Sequence, residues 1–488
     1  MIDIDLLFSG GTVITMDASR RVIDDGAVAV VSNRIVDVGP ADVLAVRYRA
    51  GRTIDTSGKV IMPGLIDVHA HAGHGLIKTL GMEQADCWEE IVNAAYTVGT
   101  TPEFWYAEAR LAALERLRFG VTCGVSLLGG GDTIMRTDDP VYGHAHCEAV
   151  TAIGTRSVVA VGTTRPPHPR TYACWDGNGI KRQERAVMFE DQLAVSRSLL
   201  RDWHGKERIR IALLTPVLRD EHAQTLSVSD YEMAVSQTQT MRALSREAGV
   251  VFTQDGHWRG SVSRAKDIGL LGPDALLSHA IDLSADEIRI VADTGTRIAH
   301  NPSAIASILG RCPAVELLEV GAIVALGSDA TAPDRSSDMF RHMQQCMHYH
   351  RTFFRDPSIL PPGKVLEMAT IDAATALGLD GEIGSLQAGK KADIVIIDMA
   401  RPHLAPFQMP VFRTVYFANG NDVDTVVIDG EVLLEAGRPV KADTTAILAA
   451  ANREADALVA RMNLKSMIGL PEGFFGAARY PNAIPSVE

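Results

Sequence analysis

Two histidines one residue apart, His69 and His71, close the apolar run Val60-Ile61-Met62-Pro63-Gly64-Leu65-Ile66-Asp67-Val68. Where a strand gives way to its loop, two neutral imidazoles at this spacing can reach one ion, so the chemistry they suggest is metal coordination. A lone His-X-His is as readily a solvated or hydrogen-bonded pair, and the weight comes from three strand ends further along the chain. Ala275-Leu276-Leu277-Ser278-His279 and Arg297-Ile298-Ala299-His300 each end an apolar stretch on histidine, and Ile323-Val324-Ala325-Leu326-Gly327-Ser328-Asp329 ends on an acid. Histidines that merely satisfy a core would rarely recur at the same end of so many strands.

The elements that must position these residues alternate. A helical stretch at 102–119, with Ala109, Ala112, Ala113 and Leu117 on one face, precedes an apolar strand at 120–126. The same unit recurs at 145–153 with 156–161, 231–248 with 250–253, 285–294 with 297–299, and 314–320 with 323–326. Repeated β and α units imply a parallel sheet, and this many of them favour a (β/α)8 TIM barrel over an open doubly wound sheet. The flanks read differently. Short strands at 5–8, 11–16, 26–31 and 34–38, without helices, and strands at 393–398 and 423–432, the latter carrying an Asp429-Gly430 turn, suggest one small β-sandwich domain built from both chain ends. The expected organisation is α/β: residues 1–62 and 385–443 form the sandwich, 63–384 the barrel, and 444–488 a C-terminal helical extension suited to a homo-oligomer contact.

Composition limits the partners. With 488 residues, 46% hydrophobic and 22% charged, the chain can bury a large core. A formal net charge of -13 without a Lys/Arg cluster disfavours nucleic acid and anionic membranes. No apolar run has the length of a membrane span, and the first residues lack the pattern of a signal peptide, so a cytoplasmic protein acting on a small molecule and water is expected. The six scattered cysteines form no Cys-X-X-Cys and no disulfide framework.

The run Met62-Pro63-Gly64-Leu65-Ile66-Asp67-Val68-His69-Ala70-His71, with Ser278-His279-Ala280, His300-Asn301-Pro302, Gly327-Ser328-Asp329 and Gly389-Lys390-Lys391-Ala392-Asp393, resembles the amidohydrolase superfamily over the chain to about residue 443. The resemblance implies a distorted (β/α)8 barrel and hydrolysis by a metal-bound hydroxide on one divalent ion, zinc ahead of manganese, iron or cobalt. It further implies that His69, His71 and Asp329 are ligands, that His279 is a ligand or a close partner of the hydroxide, and that Asp329 shuttles the proton. His300 would orient the hydroxide or polarise the substrate; capping the adjoining loop is its plainer role.

Two departures from the family pattern bear on the reaction. Strand 4, residues 208–216, ends without the lysine that bridges two metals in binuclear members, which points to a mononuclear site. At strand 5, relatives of atrazine chlorohydrolase, guanine deaminase and adenosylhomocysteine deaminase carry a metal histidine and then a glutamate that protonates the substrate ring. This chain has Val250-Val251-Phe252-Thr253-Gln254-Asp255-Gly256-His257-Trp258-Arg259 instead. Either His257 reaches back to the metal or Asp255 replaces it; imidazole is the commoner ligand and Gly256 permits an unusual bend, which favours His257. Without that glutamate, attack on an exocyclic carbonyl of an amide, urea or carbamate is the expected reaction, as in phenylurea and molinate hydrolases. The alternative is an aminohydrolase or dechlorinase of a ring such as a triazine, purine or pterin, and a barrel without a strand 5 ligand would bind rather than catalyse.

His74, Trp258 and Arg259 are the expected substrate neighbours, together with His300, while Trp88, Trp105, Trp175 and Phe340 are more simply core residues. A second His-X-His, His144-Ala145-His146, opens a helix, where residues two apart diverge and cannot share an ion. His342, His348 and His350, after strand 8, read as structural.

Overall fold

The computed structural model describes residues 1–80, 91–93, 95–129, 136–175, 182–304, 309–332, 335–470 and 473–478. Eight parallel strands follow one another around a barrel in chain order: Leu65–Asp67, Val121–Leu127, Arg156–Gly162, Ile209–Leu214, Phe252–Gln254, Ala275–Ser278, Arg297–His300 and Val324–Leu326. Strands 1 and 8 meet through single hydrogen bonds rather than a regular ladder. Val68 N–H donates to the Leu326 carbonyl at 3.1 Å and Asp329 N–H to the His69 carbonyl at 2.8 Å. The distortion of the barrel therefore falls where His69 and Asp329 emerge.

Alternation along the strands explains the packing. Val158 and Ala160 point into the barrel with Ile66, Val125, Ala212, Leu276, Ala299 and Ala325, whereas Val159 and Val161 face outward to the helices with Leu213, Leu277 and Val324. The interior is plugged by Ala373, Ala374 and Ala376 of the helix Ile371–Ala376. The C-terminal strand ends are left open to the side chains of the loops that follow them.

Both chain ends enter one nine-stranded sheet, in which Lys59–Pro63 pairs with Ile2–Ile14 on one side and antiparallel with Ile394–Asp398 on the other. The strands expected at 5–8 and 11–16 are a single strand, Ile2–Ile14, whose register shifts absorb the Gly10-Gly11 pair. The first sixty residues also contain a short helix, Ala41–Arg47, which corrects the all-strand expectation: Ala41 and Leu44 turn inward against Ile4 and Leu7. The Asp429-Gly430 turn takes positive φ at both residues and joins Val423–Ile428 to Glu431–Glu435 as a hairpin. A hairpin of Arg170–Trp175 and Arg182–Val187 lies between barrel strands 3 and 4, and the helix Thr444–Arg461 packs on Pro102–Arg118. Among the described residues no helix is long and apolar enough to cross a membrane.

Candidate metal centre

Five side chains converge at the C-terminal end of the barrel: His69 and His71 after strand 1, Asp255 after strand 5, His279 after strand 6 and Asp329 after strand 8, all buried. Asp255 lies 3.3 Å from Nε2 of His69, 3.3 Å from Nε2 of His71 and 3.0 Å from Nε2 of His279. Asp329 lies 3.6 Å from His69 Nε2, 3.1 Å from His71 Nε2 and 4.0 Å from His279 Nε2. Donor atoms of His69, His71 and Asp255, and of His69, His279 and Asp329, fall within 4.8 Å of one another.

Neighbouring groups fix each ring and carboxylate. His71 donates its Nδ1–H to the Gly129 carbonyl at 2.5 Å, which leaves the Nε2 lone pair facing the carboxylates. The side-chain amide nitrogen of Asn301 lies 3.5 Å from Nδ1 of His279 and holds that ring from behind. Ser278 donates its hydroxyl to Asp255 at 2.7 Å. Asp67, two residues before His69, accepts from the Ser328 amide at 2.9 Å and hydroxyl at 2.6 Å, and so ties the loop carrying Asp329 to strand 1. His279 and Asp329 both have left-handed backbones, at φ 70° and 63°, a conformation that costs side-chain-bearing residues energy and is held where the surroundings require it.

The electrostatics favour a cation. Burial alone would lower the basicity of His69 and His71, but Asp255 and Asp329 outweigh it, lifting His69 to about 9 and His71 well above its ordinary value. Burial opposes ionisation of the two acids, yet the imidazoles facing them hold both well below the usual carboxylate range. A field that draws protons onto two imidazoles draws a divalent ion as well. His69 Nε2, buried between both carboxylates, has no hydrogen-bond partner among the described residues, so this donor set fits a metal.

The expectation that His257 rather than Asp255 joins the cluster is reversed. Strand 5 ends at Gln254 and Gly256 takes φ 90°, so Asp255 turns inward while the His257 ring turns to Ser261, whose hydroxyl lies 2.9 Å from its Nδ1. Nε2 of His257 is buried without a partner, and burial, with Arg219 nearby, lowers the ring to about 3. His300 is also displaced from its expected place: its Nε2 lies 3.1 Å from that of His350. His74 sits behind His71, ring centroids 5.0 Å apart, with Nδ1 2.6 Å from the Tyr96 hydroxyl; burial and the charge on His71 lower it to about 3. Trp258 is half-buried on the loop after strand 5, with the Arg219 guanidinium 5.9 Å from its ring centre. Arg259 is exposed and donates to the Asp282 carbonyl at 2.9 Å, away from the cluster.

Trp105 and Phe340 are buried core residues, as expected from the sequence; Trp175 is half-buried, and Trp88 lies outside the described residues. His144 and His146 do diverge, the first accepting from Trp203 at 2.8 Å. Asp67 and Asn301 were not singled out from sequence. The available signals were an acid two residues before His69 at a buried strand end and the amide directly after His300.

Comparison with known proteins agrees with this geometry. The sequence profile of the amidohydrolase family matches residues 245–433. A 5-methylthioadenosine/S-adenosylhomocysteine deaminase of Syntrophobacter fumaroxidans is 31% identical over 444 residues, 89% of this chain and 94% of that one. The chain belongs to the amidohydrolase family. That places it among metal-dependent hydrolases of carbon–nitrogen bonds other than peptide bonds. A 5'-deoxyadenosine deaminase of Methanosarcina mazei is 29% identical over 469 residues, 94% of this chain and 99% of that one. Among solved structures, an adenosine deaminase from Xanthomonas campestris with bound zinc aligns with a TM-score of 0.80 at 22% identity, covering 94% of this chain and 99% of that one. An atrazine chlorohydrolase from Arthrobacter aurescens complexed with zinc gives 0.76 at 22% identity, covering 92% and 100%.

Proposed function

We propose that this amidohydrolase removes the exocyclic amino group of a 5'-substituted adenosine by hydrolysis, releasing ammonia. The observation that carries the reading is similarity along nearly the whole chain to relatives named as deaminases of 5'-deoxyadenosine, methylthioadenosine and adenosylhomocysteine. The ring aminohydrolase alternative thereby gains over cleavage of an amide, urea or carbamate.

His69, His71, His279, Asp255 and Asp329 would hold one divalent ion, with zinc the first choice because two solved relatives contain it. When bound, the ion supplies Lewis acidity and makes water acidic enough to attack near neutral pH. Asp329 has the position to take the proton from the attacking water at a carboxylate oxygen and return it to the departing amino group. His279, with Nε2 turned to both carboxylates, would give that atom to the ion, which leaves the incoming water to Asp329. Asn301 keeps that ring in place, and Asp67 keeps the Asp329 loop in place. Water adds at the ring carbon bearing the amino group, the C–N bond breaks, and an oxo group replaces it as ammonia leaves. Trp258 and His74 would border the substrate.

One observation favours a second reading: residues 254–260 contain no glutamate to protonate a purine nitrogen. Hydrolysis of an exocyclic carbonyl needs no such acid. Mass spectrometry of a panel of 5'-substituted adenosines and N-aryl ureas incubated with metal-loaded protein separates the two. Conversion of adenosines to inosines supports the proposal, whereas cleaved ureas beside intact adenosines would replace it.

A further inference from the structure

Three potential ligands outside the catalytic cluster meet beside barrel strand 7. His300 ends that strand, and Cys346 and His350 stand one turn apart on the helix Met339–Phe354. All three are buried, their donor atoms lie within 4.8 Å of one another, and the Nε2 atoms of His300 and His350 are 3.1 Å apart. Two nitrogens sharing a tetrahedral zinc at about 2.0–2.1 Å stand about 3.3 Å from each other, so the rings are already at ligand spacing. Hydrogen bonding does not account for their burial. A His–His bond uses one proton, and among the described residues Nδ1 of each ring is buried without a partner. The guanidinium that faces both rings, Arg311, is paired to Glu316 at 2.9 Å, so no bare cation opposes a bound ion from that side.

We propose that His300, Cys346 and His350 bind a thiophilic d10 ion, zinc(II) or copper(I), at a buried three-ligand site separate from the catalytic cluster. Two metal–nitrogen bonds and one metal–sulfur bond form; the Cys346 thiol releases its proton to solvent and both rings remain neutral. The ion ties strand 7 to the helix after strand 8. Because His300 precedes Asn301, it also steadies the amide that faces His279.

The test uses full-length protein produced in cobalt-supplemented medium, so that a buried site fills during folding. Cobalt bound to a thiolate gives a near-ultraviolet sulfur-to-metal charge-transfer band, and the catalytic cluster contributes no sulfur donor. The expected result is about two ions per chain, with the band present in the wild type, retained in Asp329→Ala and lost in Cys346→Ser, which keeps the catalytic ion. Elemental analysis of protein grown with zinc or copper then identifies the natural ion. If Cys346→Ser fails to fold, the wild type decides alone. A wild-type protein without the sulfur band, or a band lost in Asp329→Ala but unchanged in Cys346→Ser, overturns the proposal.

Discussion

Replacing Asp255 by asparagine keeps the size of the side chain and removes its charge from a point 3.0–3.3 Å from three imidazole nitrogens. Two unit charges about 4 Å apart interact by about 4 kcal/mol at an effective dielectric of 20, and a divalent ion doubles that. The amide oxygen remains a neutral ligand and recovers part of the loss. A net cost of at least about 3 kcal/mol, more than a hundredfold in metal affinity, is therefore expected. His257→Gln should change affinity by less than about threefold, because its ring bonds Ser261 and is absent from the cluster. Dialysis of both variants against graded chelator, with elemental analysis of what each retains, reads the difference; thermal melts show that both fold. If His257→Gln loses its metal and Asp255→Asn retains it, the assignment of strand 5 is wrong.

Three other substitutions test how the site and the barrel are held. Asn301→Ala should lower kcat about tenfold while metal content stays at the wild-type level, because the amide positions His279 rather than binding the ion; an unchanged kcat would deny Asn301 that role. Gly162→Ala places a methyl group 1.7 Å from the Leu214 carbonyl oxygen between strands 3 and 4, where neither backbone can yield, so urea denaturation should show a loss of about 3 kcal/mol or no folded protein. His146 is buried without a hydrogen-bond partner, and burial, followed by the charge of Arg116, lowers it from 6.5 to about 3. Below pH 6.5 the unfolded chain takes up a proton there that the folded chain refuses, so stability falls as pH drops toward 3. His146→Leu should be spared about 2 kcal/mol of that loss at pH 5, read by denaturation at pH 7 and pH 5; parallel losses in both proteins would contradict it.

The barrel is legible in the sequence because its strands are largely apolar runs, and strands 1, 6, 7 and 8 are ended or directly followed by a histidine or an acid. His69, His71, His279 and Asp329 emerge directly from that pattern. Asp255 does not, because which side chain turns inward after strand 5 depends on the sign of φ at Gly256, and a glycine accepts either sign. His300 does end its strand, but its neighbour is His350, fifty positions away on a helix whose facing direction the sequence alone does not fix. Arg259 departs from expectation for a simpler reason: the loop carries it outward, where the Asp282 carbonyl takes its guanidinium. The substrate preference rests on an absent glutamate in one reading and on whole-chain similarity in the other, and the relatives favour the second.

Whether this chain is a metal-dependent adenosine deaminase is decided by ammonia release from 5'-methylthioadenosine, followed on one preparation before and after removal of its metal. One ammonia per substrate consumed is expected, with loss of activity on chelation, recovery on adding zinc, and no activity in Asp329→Ala whether or not zinc is present. Undiminished ammonia release from the metal-free protein, or none from any 5'-substituted adenosine while ureas are cleaved, would contradict it.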